Sequence, residues 1–250
     1  MAIDMKKMKE KAIALKNRGQ GAGSQFWKPQ EGTQTVRIVP TEDGDPFKSF
    51  SFHYGVGKEG GFLCPKNNFG EDCPVCGFVR GLYQEGDEES KTMARQLGVK
   101  SRFFSPVLVR GEEELGVRLW GFSKTVYETL LGLVLNPDYG DITDIETGID
   151  LDLHYGKPPG GQFPMTKVTP KRRSNALCSD KISEEQCEGL LGSVPDFESL
   201  FEKKTTAEVQ SFLDAHLTAD NPEEFSSEVE KYPGNGVNKV DNALDELMTR

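Results

Sequence analysis

The chain has 250 residues, 36% of them hydrophobic, with 27 glycines, 14 prolines and a formal net charge of −10. That length allows one large domain or two small ones with a self-sufficient core, and the glycine and proline content marks a protein rich in loops. The longest apolar run, residues 130–135, is far short of the ~20 residues that span a bilayer, and no apolar stretch follows the basic start as a secretory signal requires.

Charge is distributed unevenly. Residues 1–180 hold 24 Lys+Arg and 24 Asp+Glu, whereas residues 181–250 hold 6 and 16. Within residues 1–20, Lys6, Lys7, Lys9, Lys11, Lys16 and Arg18 face only Asp4 and Glu10. A chain that is basic at its start, balanced in the middle and acidic at its end suggests a polyanion at one end and protein contacts, or self-masking, at the other.

Residues 1–18 predict a helix, with Ile3, Met8, Ala12 and Leu15 at helical spacing and lysines on the other faces. Gly19 and the residues after it end that helix and form a joint. A basic N-terminal arm over 1–20 has two readings: a solvated terminus, or an arm that binds DNA or a neighbouring copy through Lys6, Lys7, Lys9 and Lys11. From Phe26 the pattern alternates. Strands are predicted at 33–39, 48–54, 100–110, 116–122, 149–155 and 163–168. Helices are expected at 77–83 and 127–135, the latter with Ser123 as a cap, and an acidic surface loop at 86–91. Two amphipathic helical patterns occupy residues 184–191 and 206–217; residues 218–238 read as a linker, and the end of the chain as a short amphipathic helix.

Between the second and third predicted strands lies HYGVGKEGGFLCPKNNFGEDCPVC, residues 53–76. His53, Cys64, Cys73 and Cys76 offer four ligands at spacings that close a tetrahedron, which makes a structural zinc site with no open position for water. The rival readings are a redox dithiol at Cys73-Pro74-Val75-Cys76, unliganded thiols, and, for His53 between Phe52 and Tyr54, simple packing. Cys178 and Cys187 read as ordinary thiols, with a second metal contact as the alternative. This cysteine usage fits a reducing, cytoplasmic setting.

Short alternating strands joined by Gly/Pro turns predict a mainly β fold with peripheral helices. The expected architecture is a small Greek-key barrel, the OB-fold, elaborated by a zinc-binding loop subdomain at about residues 52–80. Phosphate-loop, zinc-protease and serine-hydrolase motifs are absent, so catalysis is not expected. Asp150 and Asp152 share a strand face that suits either a metal pair or an exposed edge. Aromatic and cationic residues interleave at Lys100, Arg102, Phe103, Arg118, Trp120, Lys124, Tyr155 and Phe163, and Lys171, Arg172 and Arg173 form an exposed basic cluster. Rings stack on bases and cations track phosphates, which suits single-stranded nucleic acid. Phe103 and Trp120 are expected to point outward and Phe104 and Phe122 to be core, an assignment that alternation supports for the adjacent pair Phe103 and Phe104.

These pieces resemble the single-stranded DNA-binding proteins of T4-type bacteriophages over residues 1–217. The resemblance is carried by QTVRIVP (34–40), FHYGVGKEGGFLC (52–64), EDCPVCGFV (71–79), VKSRFFSPVLV (99–109), VRLWGFSKTVYETL (117–130) and FESLFEK (197–203). It implies a zinc-bearing OB-fold core over 21–216, with one structural Zn2+ on His53, Cys64, Cys73 and Cys76 and a groove at Lys100, Arg102, Phe103, Phe104 and Trp120. It also implies an N-terminal segment for cooperative self-association and an acidic tail over 217–250 for replication and recombination partners. The family's N-terminal Lys/Arg-then-Ser/Thr motif is not reproduced here. The reading from sequence is a non-catalytic, sequence-tolerant binder of single-stranded DNA in phage replication, recombination and repair, located in the host cytoplasm. The alternative is a zinc-stabilised protein–protein adaptor that contacts no DNA.

Overall fold

Strand alternation is realised in a single sheet. The computed structural model describes residues 25–219 except 58–59, 162, 179–183, 196 and 198–199; the expected N-terminal helix and acidic tail lie outside these. The strands are β1 (Phe26–Trp27), β2 (Gly32–Ile38), β3 (Lys48–Tyr54), β4 (Gly61–Leu63), β5 (Lys100–Val109), β6 (Arg118–Phe122), β7 (Leu151–Gly156) and β8 (Met165–Pro170). They follow the order β1-β6-β5-β2-β7-β8, with β3 and β4 branching from β5. The long β5 pairs with β3 along its first half and with β2 along its second, both antiparallel, while β6 runs along its other edge.

The inward residues of this sheet converge. Val36, Ile38, Val107, Val109, Trp120, Leu151, Leu153 and Val168 form one core with Val126 and Leu130 of α4 (Lys124–Val134), so the sheet curls around its own inner face. A helix between the third and fourth barrel strands, together with this pairing order, gives the partly open Greek-key barrel of the OB type. Among the described residues β6 and β8 do not pair, and the seam between them stays open.

The outer face of β3, β5 and β6 is covered as well, which alternation alone did not reveal. Phe52, Phe104 and Leu119 are buried beneath Phe197, Leu200 and Phe201, the Phe104 and Phe201 rings standing 5.3 Å apart. Each such ring contributes about 1.5–3 kcal/mol by leaving water. Val39, Leu108 and Val117 lie under Leu177 and under Leu190 and Leu191 of α5 (Glu184–Leu191).

Beside this patch sits a buried ionic knot. Arg37 Nε donates to Asp150 Oδ1 (2.9 Å), Arg110 donates to both Asp150 oxygens (2.9 and 3.0 Å), and Asn175 donates a further bond to Oδ2 (2.8 Å). Asp150 and Asp152 therefore do not form a metal pair: Asp152 accepts from Thr35 Oγ1 at 2.6 Å instead. Gly148 permits the knot, since a Cβ there would stand 2.7 Å from Arg37 Nη1. Arg110 also donates to the carbonyls of Ala176 and Leu177, pinning the segment that leads to Cys178.

Several expectations are corrected here. Cys178 and Cys187 are not free thiols but a disulfide with Cα atoms 5.8 Å apart, because that pinned segment meets α5. The helix expected at 77–83 is α2 (Pro74–Glu85) and already includes Cys76. Residues 86–91, expected as loop, enter α3 (Glu88–Leu97), capped by the Asp87 carboxylate accepting from the Ser90 N–H at 2.8 Å.

Candidate metal centre and nucleic-acid cleft

Three places in the fold deliver the four ligands. His53 comes from β3 and is fully buried. Cys64 follows β4 and caps α1 (Pro65–Phe69), its sulfur accepting from the Asn67 N–H at 3.4 Å, and Gly70, at φ 72°, ends that helix in the left-handed region glycine tolerates. Cys73 is the N-cap residue of α2, whose first turn carries Pro74 and Cys76. The CxxC thus opens a helix, as a redox dithiol would, but two further ligands converge on it.

All four ligand atoms lie within 4.8 Å of one another. Cys73 and Cys76 sulfurs are each 3.4 Å from His53 Nε2, and Cys64 is 3.5 Å from Cys76. Tetrahedral bonds of about 2.0–2.3 Å give ligand–ligand edges of about 3.5–3.8 Å, so the donor set fits a divalent ion. His53 Nδ1 donates to the Leu97 carbonyl at 2.9 Å. A carbonyl only accepts, which puts the proton on Nδ1 and turns the Nε2 lone pair toward the sulfurs, the outer-shell arrangement typical of metal-bound histidine.

The thiols cannot all ionise among themselves. A hydrogen bond from Cys73, aided by His53, pulls Cys64 down to about 3. The same bond and burial push Cys73 up, while burial and the nearby Cys64 push Cys76 up to about 11. A divalent cation reverses this by displacing the remaining protons. The lobe is closed by α6 (Thr206–Ala219), whose Val209 and Leu213 are buried against Val56, Phe62, Val75 and Leu97.

At the open seam lies a cleft of about 640 Å³, lined among others by Lys28, Arg102, Trp120, Tyr155, Met165 and Thr166. A recess of about 530 Å³ adjoins it, sharing Lys28 and Tyr155 and adding Glu31 and Lys157. Ser123 and Thr125, at the start of α4, also line the cleft. Ser123 makes no side-chain capping bond, so free backbone N–H groups add positive potential there.

The residues singled out in the sequence separate into three groups. Arg102, Trp120 and Tyr155 meet in the cleft, with Phe163, 71% exposed, beside its Pro164 wall. Trp120 does not point outward. Its ring is 1% exposed at the cleft floor, edge-on to Trp27 at 6.3 Å, because the barrel interior takes the even-numbered residues of β6. Phe103 faces the same interior, half-buried and stacked on Tyr127 at 4.1 Å, while Phe104 and Phe122 are buried as expected of core.

Other cations are engaged elsewhere. Arg118 is buried and donates to Glu112 at 2.7 Å. Lys100 donates to the Arg95 carbonyl at 2.7 Å, and Lys124 lies 3.6 Å from Glu128 on the α4 surface. Lys171, Arg172 and Arg173 are exposed at the end of β8 remote from the cleft. Lys6, Lys7, Lys9 and Lys11 fall outside the described residues. Sequence reasoning missed Lys28 and Met165; Lys28 directly follows the β1 pair Phe26-Trp27, which sets it at the cleft rim.

A family model described as gp32 DNA binding protein like matches residues 30–217, a span that includes the four clustered ligands and Arg102, Trp120 and Tyr155. No curated protein matches the chain.

Proposed function

The chain belongs to the gp32-like family of DNA-binding proteins, and from that premise we propose that it binds single-stranded DNA without sequence preference in phage replication, recombination and repair. The observation that carries the reading is the cleft at the β6/β8 seam, where Lys28 and Arg102 frame Tyr155 and the exposed Phe163 stands at the rim. Cations hold the phosphates and rings take the bases, each stacked base contributing ~1–3 kcal/mol. No reacting group is required.

One structural Zn2+ on His53, Cys64, Cys73 and Cys76 holds the lobe beside β3 and leaves no open coordination position for chemistry. The basic arm, residues 1–20, supports self-association along the strand, and the acidic segment 217–250 supports contacts with replication and recombination proteins. The charge order of the chain supports both roles. The place of action is the cytoplasm of the host; no helix among the described residues is long and apolar enough to cross a membrane.

Trp27 and Trp120 are the only tryptophans of the chain; Trp120 lines the cleft and Trp27 packs edge-on against it, so their fluorescence reports its occupancy. Titration with poly(dT) at low salt is expected to quench them, and added salt to reverse the quenching, because each neutralised phosphate releases counterions. Absence of binding at low salt would favour the adaptor reading instead. Deleting residues 218–250 is expected to tighten binding at low salt by removing an internal polyanion; weaker or unchanged affinity would exclude that role for the tail.

A further inference from the structure

The basic cluster 171–173 lies where the cleft does not reach. β8 begins at Met165 beside the cleft and ends at Pro170 opposite Leu151, a distance of ~17 Å at ~3.4 Å per residue; Lys171 follows. Between the two ends runs the outer face of β2, β7 and β8, in cross-strand rows Thr33–His154–Lys167 and Thr35–Asp152–Thr169. His154, Lys167 and Thr169 are exposed.

This face is chemically unlike the cleft. It presents hydroxyls, cations and one imidazole but no aromatic platform. Asp152, its carboxylate, is hydrogen-bonded by Thr35 and lies 3.4 Å from Lys171 Nζ. Arg172 and Arg173 are exposed and form no ion pair among the described residues. At the hairpin tip, where the face meets the cleft, Phe163 and Met165 are 71% and 59% exposed. Glu31 also lies at that tip, where Lys28 and Lys157 line the same recess.

We infer that single-stranded DNA leaving the cleft crosses the hairpin tip at Phe163 and Met165 and continues along this outer face, its phosphates on Lys167, Lys171, Arg172 and Arg173. The inference rests on the reading of the cleft as a single-strand site. The footprint then has two parts: a stacking part in the cleft and a part that contacts phosphates alone. Phosphate contacts need only cations, hydroxyls and backbone N–H groups and carry no base information, which is what a face without exposed rings supplies.

The test uses the full chain carrying R172A/R173A and oligothymidylates of about 4 and about 16 nucleotides, the limits of site sizes for one OB-fold. The longer oligonucleotide is expected to bind more weakly, with the slope of log K against log salt falling by about 1.4, at ~0.7 for each phosphate no longer neutralised. Affinity for the shorter one stays unchanged. Lys167→Ala, on the sheet itself, shows the same length dependence with about half the change in slope. An equal weakening at both lengths places these cations in the cleft and overturns the proposal, as does no weakening at either. Failure of the unsubstituted protein to bind either oligonucleotide removes the reading of the cleft itself.

Discussion

The barrel and the metal lobe are held together by different physics. The barrel core is a cluster of branched aliphatics and aromatics drawn from six strands and α4, and each buried side chain adds its own increment of apolar burial. The lobe has a small core of Val56, Phe62, Val75 and Leu97 beneath α6, and at its centre stand three thiols and an imidazole that satisfy one another only in part. One region is a sum of many modest terms; the other depends on a single large one.

Metal removal gives the largest expected separation of the two. Structural zinc contributes about 10–16 kcal/mol of apparent folding free energy in zinc-finger peptides, more than a lobe of this size supplies by burial. Chelation, or Cys73→Ser, is expected to abolish hydrogen-exchange protection in α2, α3 and α6 while Val107–Val109 and Leu151–Leu153 keep theirs. If both regions lose protection together, or neither does, the division is wrong.

The next effect belongs to the barrel. Asp150→Ala leaves Arg37 and Arg110 without their shared carboxylate and is expected to cost about 3–5 kcal/mol, the usual penalty for breaking a buried ion pair, measured by denaturant unfolding. Burial alone would raise the Asp150 pKa, but bonds from Arg110 and Asn175 and the charges of Arg110 and Arg37 outweigh it and hold the carboxyl below its ordinary range. A depressed folded-state pKa contributes stability above the unfolded value of about 3.9. That contribution is lost as pH falls through the folded-state pKa, and Asp150→Asn is expected to remove this acid limb while leaving the lobe unaffected.

A matched pair of leucines gives the finest resolution. Leu130→Ala in the barrel and Leu213→Ala in the lobe, at 0% and 4% exposure, are each expected to cost about 2–5 kcal/mol. Leu130→Ala should lower the main unfolding transition. Leu213→Ala should instead weaken metal retention against a chelator, and a lowered main transition there would merge the two regions.

What could be read from the sequence follows from which interactions are local. His53, Cys64, Cys73 and Cys76 lie within one short stretch, so ligand chemistry and spacing identified them, and the strands followed from alternation. Trp120 was misjudged because it lies two residues from Phe122 and so shares its inward face, where it packs on Trp27. The cover over Phe104 comes from Phe197 to Phe201, a segment nearly a hundred residues downstream, with no local signal to announce it. Arg118 looked like a groove cation, yet its long side chain turns back to Glu112. The disulfide required knowing that Arg110 pins residues 176–177 beside α5, a tertiary fact.

The hydrogen bond from His53 to the Leu97 carbonyl reaches beyond the lobe. Leu97 is followed three residues later by β5, which carries Arg102 into the cleft, and β3, which carries His53, is zipped to that same half of β5. Under the proposed function, ion and nucleic acid would therefore act on one another through a shared strand. Whatever factor the metal adds to affinity at Arg102, a bound strand returns to the metal, since the coupling free energy between two sites is reciprocal.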